Sequence, residues 1–311
     1  MKYLGLQRQI WRNNTRSVIL LILFPLVFYA LVFVFFFLFN FFQEDGFSID
    51  PVNSSLRAIP IVTLVVGLWF IIAWFSHSSM INRATGSRPL ERKENKRVYN
   101  LVENLTIAAG MKMPKINIIE DDSLNAFASG INNRTYTVSL SRGIIDKLND
   151  EELEGVIAHE LTHIRNRDVR LLIVSVVFVG IFAFVTQALM RTFMYGGGGR
   201  RDNKNGAAIV IIMLLAAVGW LLTTIFRFAL SRKREYMADA GAAELTRKPS
   251  ALANALKKVS TDARIEAVTR QDVAQMFIEN PGEKKRKVSL SSMFATHPPI
   301  ADRIRILEQW Q

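Results

Sequence analysis

A mostly helical α+β fold, with a small β-sheet in a soluble body and about four transmembrane helices, is what this sequence predicts. Three observations carry the prediction. Long charge-free apolar runs alternate with charged stretches, and short segments rich in β-branched residues lie between amphipathic ones. Half of the 311 residues are hydrophobic, at a mean hydropathy of +0.18. That balance is too apolar for an ordinary soluble domain and too charged for a bundle of spans alone.

The first apolar run, Val18 to Phe42, has 25 residues broken only by Asn40 and carries no charge. It exceeds the roughly 20 residues that cross hydrocarbon as a helix. A cleavable leader would have an apolar core of about 7 to 15 residues ending in small side chains, and Phe33 to Phe42 is the opposite. Ala58 to Phe75 is the second run, with Trp69 and Trp74 toward its far end, where interfacial aromatics gather. Leu171 to Met190 and Ala207 to Phe226 are the third and fourth, joined by a polar turn from Gly196 to Lys204. For these later runs a buried core helix is the alternative.

Charge orders the chain. Lys and Arg outnumber Asp and Glu by 39 to 27, and the basic residues crowd the ends of apolar runs: Arg8, Arg12 and Arg16, then Arg83 to Arg97, then Arg227 to Arg234. This is the bias of a protein whose partner is a lipid bilayer, and with no nucleic-acid-binding motif it does not imply nucleic acid. Residues 1–17 carry four basic and no acidic side chains, whereas Gln43 to Arg57 carries Glu44, Asp45 and Asp50 against Arg57. The N-terminus is therefore expected in the cytoplasm. The resulting division has 1–17 as a cytoplasmic segment and 18–82 as two transmembrane helices with a short external loop. Residues 83–170 and 227–311 form the two parts of a cytoplasmic domain, and 171–226 is a transmembrane or membrane-embedded hairpin. Arg191, Arg200, Arg201 and Lys204 in that hairpin oppose the assignment, which leaves a shallow hairpin open.

In the soluble body, Lys96 to Ala109 reads as an amphipathic helix, and Ile116 to Ile119 and Tyr136 to Leu140 as strands. Gly130 to Asn133 reads as the turn after a strand at Asn125 to Ser129, and Glu283 to Lys287 as a solvated loop. Helices resume at Asn149 and Ser250.

No cysteine is present, so disulfides and thiolate ligands are excluded, and a metal site must use histidine and carboxylate. Only four histidines exist. Asn149 and Glu152 form the ends of a capping box, and Leu153, Val156, Ile157, Leu161 and Ile164 follow at helical spacing, so this helix is expected to pack on one side. On it stands His159-Glu160-Leu161-Thr162-His163. Residues four apart share a helix face, so both imidazoles can reach one Zn²⁺, with Glu160 beside them to take a proton from the water that zinc activates. A third histidine six residues on is absent, since Asn166 and Val169 occupy those positions. A downstream glutamate is then expected, and Glu235 supplies it, with Asp239 four residues later on the same face. Asp239 suits the acceptor that fixes the tautomer of His159 or His163.

Together these residues resemble the HtpX-type family of integral-membrane zinc metalloendopeptidases, in the gluzincin group. The likeness runs through Asn125-Ala126-Phe127-Ala128-Ser129-Gly130, His159 to His163, a membrane hairpin, Glu235 to Asp239, and Thr296-His297-Pro298-Pro299-Ile300-Ala301-Asp302-Arg303. It implies a zincin-like metalloprotease domain holding one Zn²⁺, and polypeptide substrates drawn from misfolded or damaged proteins of a bacterial-type cytoplasmic membrane. It also implies that Asn125, Ala126, Phe127, Ala128 and Ser129 form an edge strand that pairs with substrate backbone. His297 and Arg303 would approach the metal, donating to the oxyanion or closing the cleft; the alternative is a His-Pro-Pro turn capping a helix with Arg303 on its surface. A processing protease for lipidated C-termini is a second enzyme reading, but four runs cannot build the seven-span chamber of that type. A non-proteolytic membrane scaffold predicts a damaged base or ligand, and Glu160, His159, His163 and Glu235 are intact.

Overall fold

The computed structural model describes residues 6–41, 50–174, 233–260 and 298–310, with residues 187, 191, 213–214, 217–218 and 221. The chain divides into two units: Met1–Thr15, His77–Ile173 and Arg227–Gln311 form one, and Arg16–Ser76 and Val174–Phe226 the other.

Helices α1 (Leu6–Phe41) and α2 (Pro51–Thr85) supply most of the described part of the second unit, and the first turns of α1 and the last of α2 belong to the first. Both outrun the apolar segments that predict them, because propagation of a helix is cheap until a stop signal intervenes. For α2 those signals are legible. Asp50 accepts from the Val52 N–H at 2.9 Å, Pro51 sits at the first helical position, and Gly86 follows the last turn at φ +66°. Ile10–Leu38 and Pro51–Thr85 are long and apolar enough to cross a membrane, with mean hydropathies of 3.0 and 2.4. Leu64 and Phe75 on α2 are 71% and 80% exposed, as side chains that face lipid must be. The Tyr29 and Thr63 hydroxyls meet at 2.8 Å, one polar link between the two helices. Most of the third and fourth apolar runs, the turn at 196–204 and the loop at 283–287 lie outside the described residues.

The first unit is mostly helical around a small mixed sheet. Strands β1 (Ser87–Pro89), β2 (Lys115–Ile119), β3 (Ala126–Ser129) and β4 (Thr137–Ser141) are ordered β1-β2-β4-β3. β2 and β4 are parallel, with Ile116 opposite Val138, and the two outer pairs are antiparallel. Between β1 and β2, α3 (Lys96–Ala108) starts at Asn95, which accepts from the Val98 N–H. It ends at Gly110, whose φ of +62° lets the Met111 N–H return to the Thr106 carbonyl at 2.9 Å. β3 and β4 are joined through Gly130 at φ +105°, where a Cβ would overlap the Thr135 carbonyl. β1 escapes sequence reading because its three residues lie in the basic stretch after α2. That stretch also changes meaning: Arg88 pairs with Glu94 and Glu120, Arg92 with Glu103, and Arg97 with Asp150. Such exposed pairs contribute little to stability, but they tie these cations to the domain surface.

A short α4 (Arg142–Lys147) leads into α5 (Asp150–Arg165), where Asn149 and Glu152 form the predicted capping box. Lys258 also binds Glu152, at 2.7 Å, so the cap is anchored to α7 (Pro249–Val259). The expectation that α5 packs on one side is corrected: every residue from Gly155 to Thr162 is buried. β3, β4, α3, α6 (Lys233–Thr246) and α7 all touch it. Small residues permit this. Gly155 lies against Leu252 of α7, and a Cβ on Gly241 of α6 would overlap the Thr162 side chain. Leu153, Val156, Ile157 and Leu161 are at most 1% exposed, each worth roughly 1.5–3 kcal/mol of burial. The last described helix, α8 (Ile300–Glu308), packs on α6 and α7.

Candidate metal centre

His159 and His163 stand one turn apart on α5, their rings edge to face with centroids 4.7 Å apart and their Nε2 atoms 3.2 Å apart. The first turn of α6 brings in Glu235, whose Oε2 lies 3.7 Å from His159 Nε2 and Oε1 3.6 Å from His163 Nε2. One ligand atom from each of these three residues falls within 4.8 Å of the others. Bonds of about 2.0–2.1 Å from a tetrahedral cation place its ligand atoms roughly 3.3 Å apart, so the observed separations fit such an ion. Both nitrogens are turned toward the Glu235 carboxylate.

Each imidazole is held from behind. Asp239, one turn beyond Glu235, accepts from His159 Nδ1 through Oδ1 at 3.0 Å. Asp168, just past the end of α5, lies 3.0 Å by its Oδ2 from His163 Nδ1. With both Nδ1 atoms donating, both Nε2 lone pairs point toward the common centre, which is the tautomer a metal ligand requires.

Arg303 comes from α8 and is 1% exposed, so its placement on a helix surface is overturned. Its Nε donates to Asp239 Oδ2 at 2.9 Å and its Nη2 to Oδ1 at 2.7 Å, a bidentate grip, while Nη1 lies 3.5 Å from Glu235 Oε2. Nη2 is 3.4 Å from both nitrogens of His159, so the guanidinium lies over the face of that ring and not in its plane. His297 lies outside the described residues.

Burial alone would lower the His159 pKa, but hydrogen bonds to Asp239 and Glu235 outweigh it and carry the pKa to about 9 in the absence of metal. Burial pushes Asp239 up, and the Arg303 charge with the His159 hydrogen bond brings it below the usual carboxylate range. Glu160, 2% exposed, is raised by burial, partly offset by His159 and His163.

β3 lies at the edge of the sheet, paired with β4, and packs on α5. Asn125, just before the strand, exchanges hydrogen bonds with Ser141, its N–H reaching Oγ and its carbonyl receiving the Ser141 N–H, both at 3.0 Å. Ala126, Phe127, Ala128 and Ser129 are all buried. The expected substrate strand therefore sits beside the metal helix.

Sequence reasoning missed Asp168. It stands five residues after His163, off the helical face, and comes back only because Arg167 turns the chain at φ +59°. A left-handed turn at an arginine has no sequence signal.

The comparisons with known proteins agree with this chemistry. Peptidase family M48 matches residues 92–311. A protease HtpX homolog of Bacteroides fragilis is 58% identical over 322 aligned positions, covering all of both chains. Homologs of the same name from Dictyoglomus thermophilum and Listeria monocytogenes are 40% and 38% identical, covering 77% and 88% of this chain and 78% and 93% of their own. The solved structure of S. mikatae Ste24p aligns with a TM-score of 0.49 at 20% identity; the match covers 96% of this chain but only 66% of Ste24p, a likeness on which nothing further is built. With a His-His-Glu cluster inside the matched region, this chain belongs to peptidase family M48, among its HtpX-type proteases, and is a membrane-associated metallopeptidase acting on polypeptides.

Proposed function

We propose that this protein is an integral-membrane zinc endopeptidase in which His159, His163 and Glu235 hold the ion and Glu160 is the general base. The observation that carries the reading is the convergence of three ligand atoms behind which both histidines are fixed by carboxylates. Two nitrogens and one carboxylate, with no thiolate available, are a donor set that suits zinc and leaves a fourth position for substrate or water. When bound, zinc supplies Lewis-acid activation of the attacking water and of the scissile carbonyl.

The chain's own groups do the rest. A Glu160 carboxylate oxygen takes a proton from the water as its oxygen bonds to the carbonyl carbon. Glu160 then delivers that proton to the departing amine nitrogen as the C–N bond breaks. Burial raises its pKa, which favours a group that must hold the proton between the two transfers. Asp239 and Asp168 keep the imidazoles from rotating, and Arg303 holds Asp239; this positioning role is the one its bidentate contact supports.

In this reading Asn125, Ala126, Phe127, Ala128 and Ser129 align the substrate backbone by strand addition, which suits loose sequence preference. The substrates are misfolded or damaged membrane proteins, a quality-control role supported by a protease domain tied to apolar helices. The cleft faces the cytoplasm, with about four spans, two of them in the transmembrane or membrane-embedded hairpin at 171–226, as the basic flanks argue. The test is Glu160→Gln in detergent-solubilised full chain, with casein as substrate and metal measured directly. Bound zinc should stay stoichiometric while cleavage falls at least about 10²–10⁴-fold, the range of general-base catalysis. Cleavage at the wild-type rate would remove Glu160 from its role.

A further inference from the structure

The Asp168 carboxylate has a second oxygen, and its partner comes from far away in sequence. Asn13, in the second turn of α1 and 1% exposed, donates through Nδ2 to Asp168 Oδ1 at 2.6 Å and to the Asn166 carbonyl at 2.9 Å. Its neighbour Asn14 accepts from Arg167 Nη1 at 3.2 Å. The two asparagines thus hold the three residues, Asn166, Arg167 and Asp168, that follow α5. This turn needs holding. Arg167 adopts a left-handed conformation that costs a side-chain-bearing residue, and only that turn returns Asp168 to His163. Asn166 is the C-cap of α5 and Asp168 is itself 1% exposed, so the amide of Asn13 reaches a site closed to bulk water.

We propose that Asn13 is a positioning residue of the metal centre, acting through Asp168 to fix the ring of His163, so that the N-terminal turns of α1 are part of what retains the ion. An asparagine amide suits the task. It donates to one carboxylate oxygen without adding charge and leaves the other, Oδ2, to face His163 Nδ1. An aspartate at 13 would repel Asp168, and an apolar residue would leave Oδ1 without this donor.

The inference rests on the zinc reading, and the test separates the two. Full-length protein in detergent is loaded with zinc alone, and release into excess chelating dye is timed for wild type, Asp168→Asn and Asn13→Ala. Thermal unfolding of the metal-free forms is measured alongside. Asp168→Asn is nearly isosteric and should release zinc about 10- to 100-fold faster, the usual effect of losing a carboxylate behind a ligating histidine. Asn13→Ala should also release zinc faster, by several-fold, with a smaller change in the metal-free melting point than in release rate. Release at the wild-type rate from both variants overturns the inference, and faster release from Asp168→Asn alone overturns the role of Asn13. If Asn13→Ala fails to fold, Asn13→Gln, which keeps the donor, replaces it: release at the wild-type rate supports the donor role, and faster release with an unchanged melting point overturns it. Wild type that takes up no zinc overturns the zinc reading and this inference with it.

Discussion

Replacing Arg303 with Met should lower the melting point of the metal-free domain far more than a surface change would. Arg303 and Asp239 are 1% and 2% exposed and joined by two hydrogen bonds of 2.9 and 2.7 Å. Removing one member of a buried pair deprives the other of its charged partner, a loss of up to about 3–5 kcal/mol. For a domain of roughly 150–250 residues each kcal/mol shifts the melting point by about 2–4 °C, so a fall of about 6–20 °C is expected. Asp239→Leu should cost a similar amount, because it removes the bidentate acceptor of Arg303 and the acceptor of His159 Nδ1. The double variant Arg303→Met with Asp239→Leu should lose less than the sum of the single losses, because two apolar side chains replace the buried pair while only the His159 Nδ1 acceptor stays missing. The assay is thermal unfolding by circular dichroism in detergent with chelator present. Simply additive losses, or single-variant shifts under about 3 °C, would refute the buried pair. Lost turnover with unchanged melting point and metal content would instead return Arg303 to direct work on the oxyanion.

Further outcomes follow from the same geometry. In the metal-free protein His159 titrates near 9, above its unfolded value of about 6.5. Its contribution is therefore complete below about pH 6.5 and lost as pH rises through about 9, a decline on the order of 3 kcal/mol. Metal binding must expel that proton, so zinc affinity should climb about tenfold per pH unit toward 9; a flat melting profile across this window would refute the assignment. Gly241→Ala should destabilise by about 1–3 kcal/mol through overlap with Thr162, and adding Thr162→Ala should restore most of it. A tag at Gln311 should be cleaved by external protease in inverted vesicles and shielded in right-side-out ones, and the reverse pattern would overturn the cytoplasmic orientation.

The parts of the centre that were legible in the sequence obey local rules. His159 and His163 are separated by one helical turn, as are Glu235 and Asp239, and that spacing puts each pair on one face whatever surrounds it. The capping box at Asn149 and the strands expected at 116–119 and 136–140, which form at 115–119 and 137–141, follow from capping chemistry and β-branched composition in the same way. Long apolar runs announce α1 and α2 because crossing hydrocarbon sets a minimum length.

What stayed hidden depends on contacts between distant segments. That α5 is buried on all sides from 155 to 162 follows from glycines 155 and 241 meeting Leu252 and Thr162, residues whose proximity no periodicity encodes. Arg303 reads equally well as a surface residue or a site residue until α8 docks on α6 and Asp239 receives it. Asp168 and Asn13 lie 155 positions apart and join only after the chain has folded. The sequence by itself determined the one-turn spacings of His159 with His163 and of Glu235 with Asp239, and the two apolar helices, because spacing along one helix and hydrophobic length are local quantities. Only the tertiary structure decided which carboxylate stands behind which imidazole and what holds each in place, because a buried polar group takes its partner from whatever the packed chain brings within hydrogen-bonding distance.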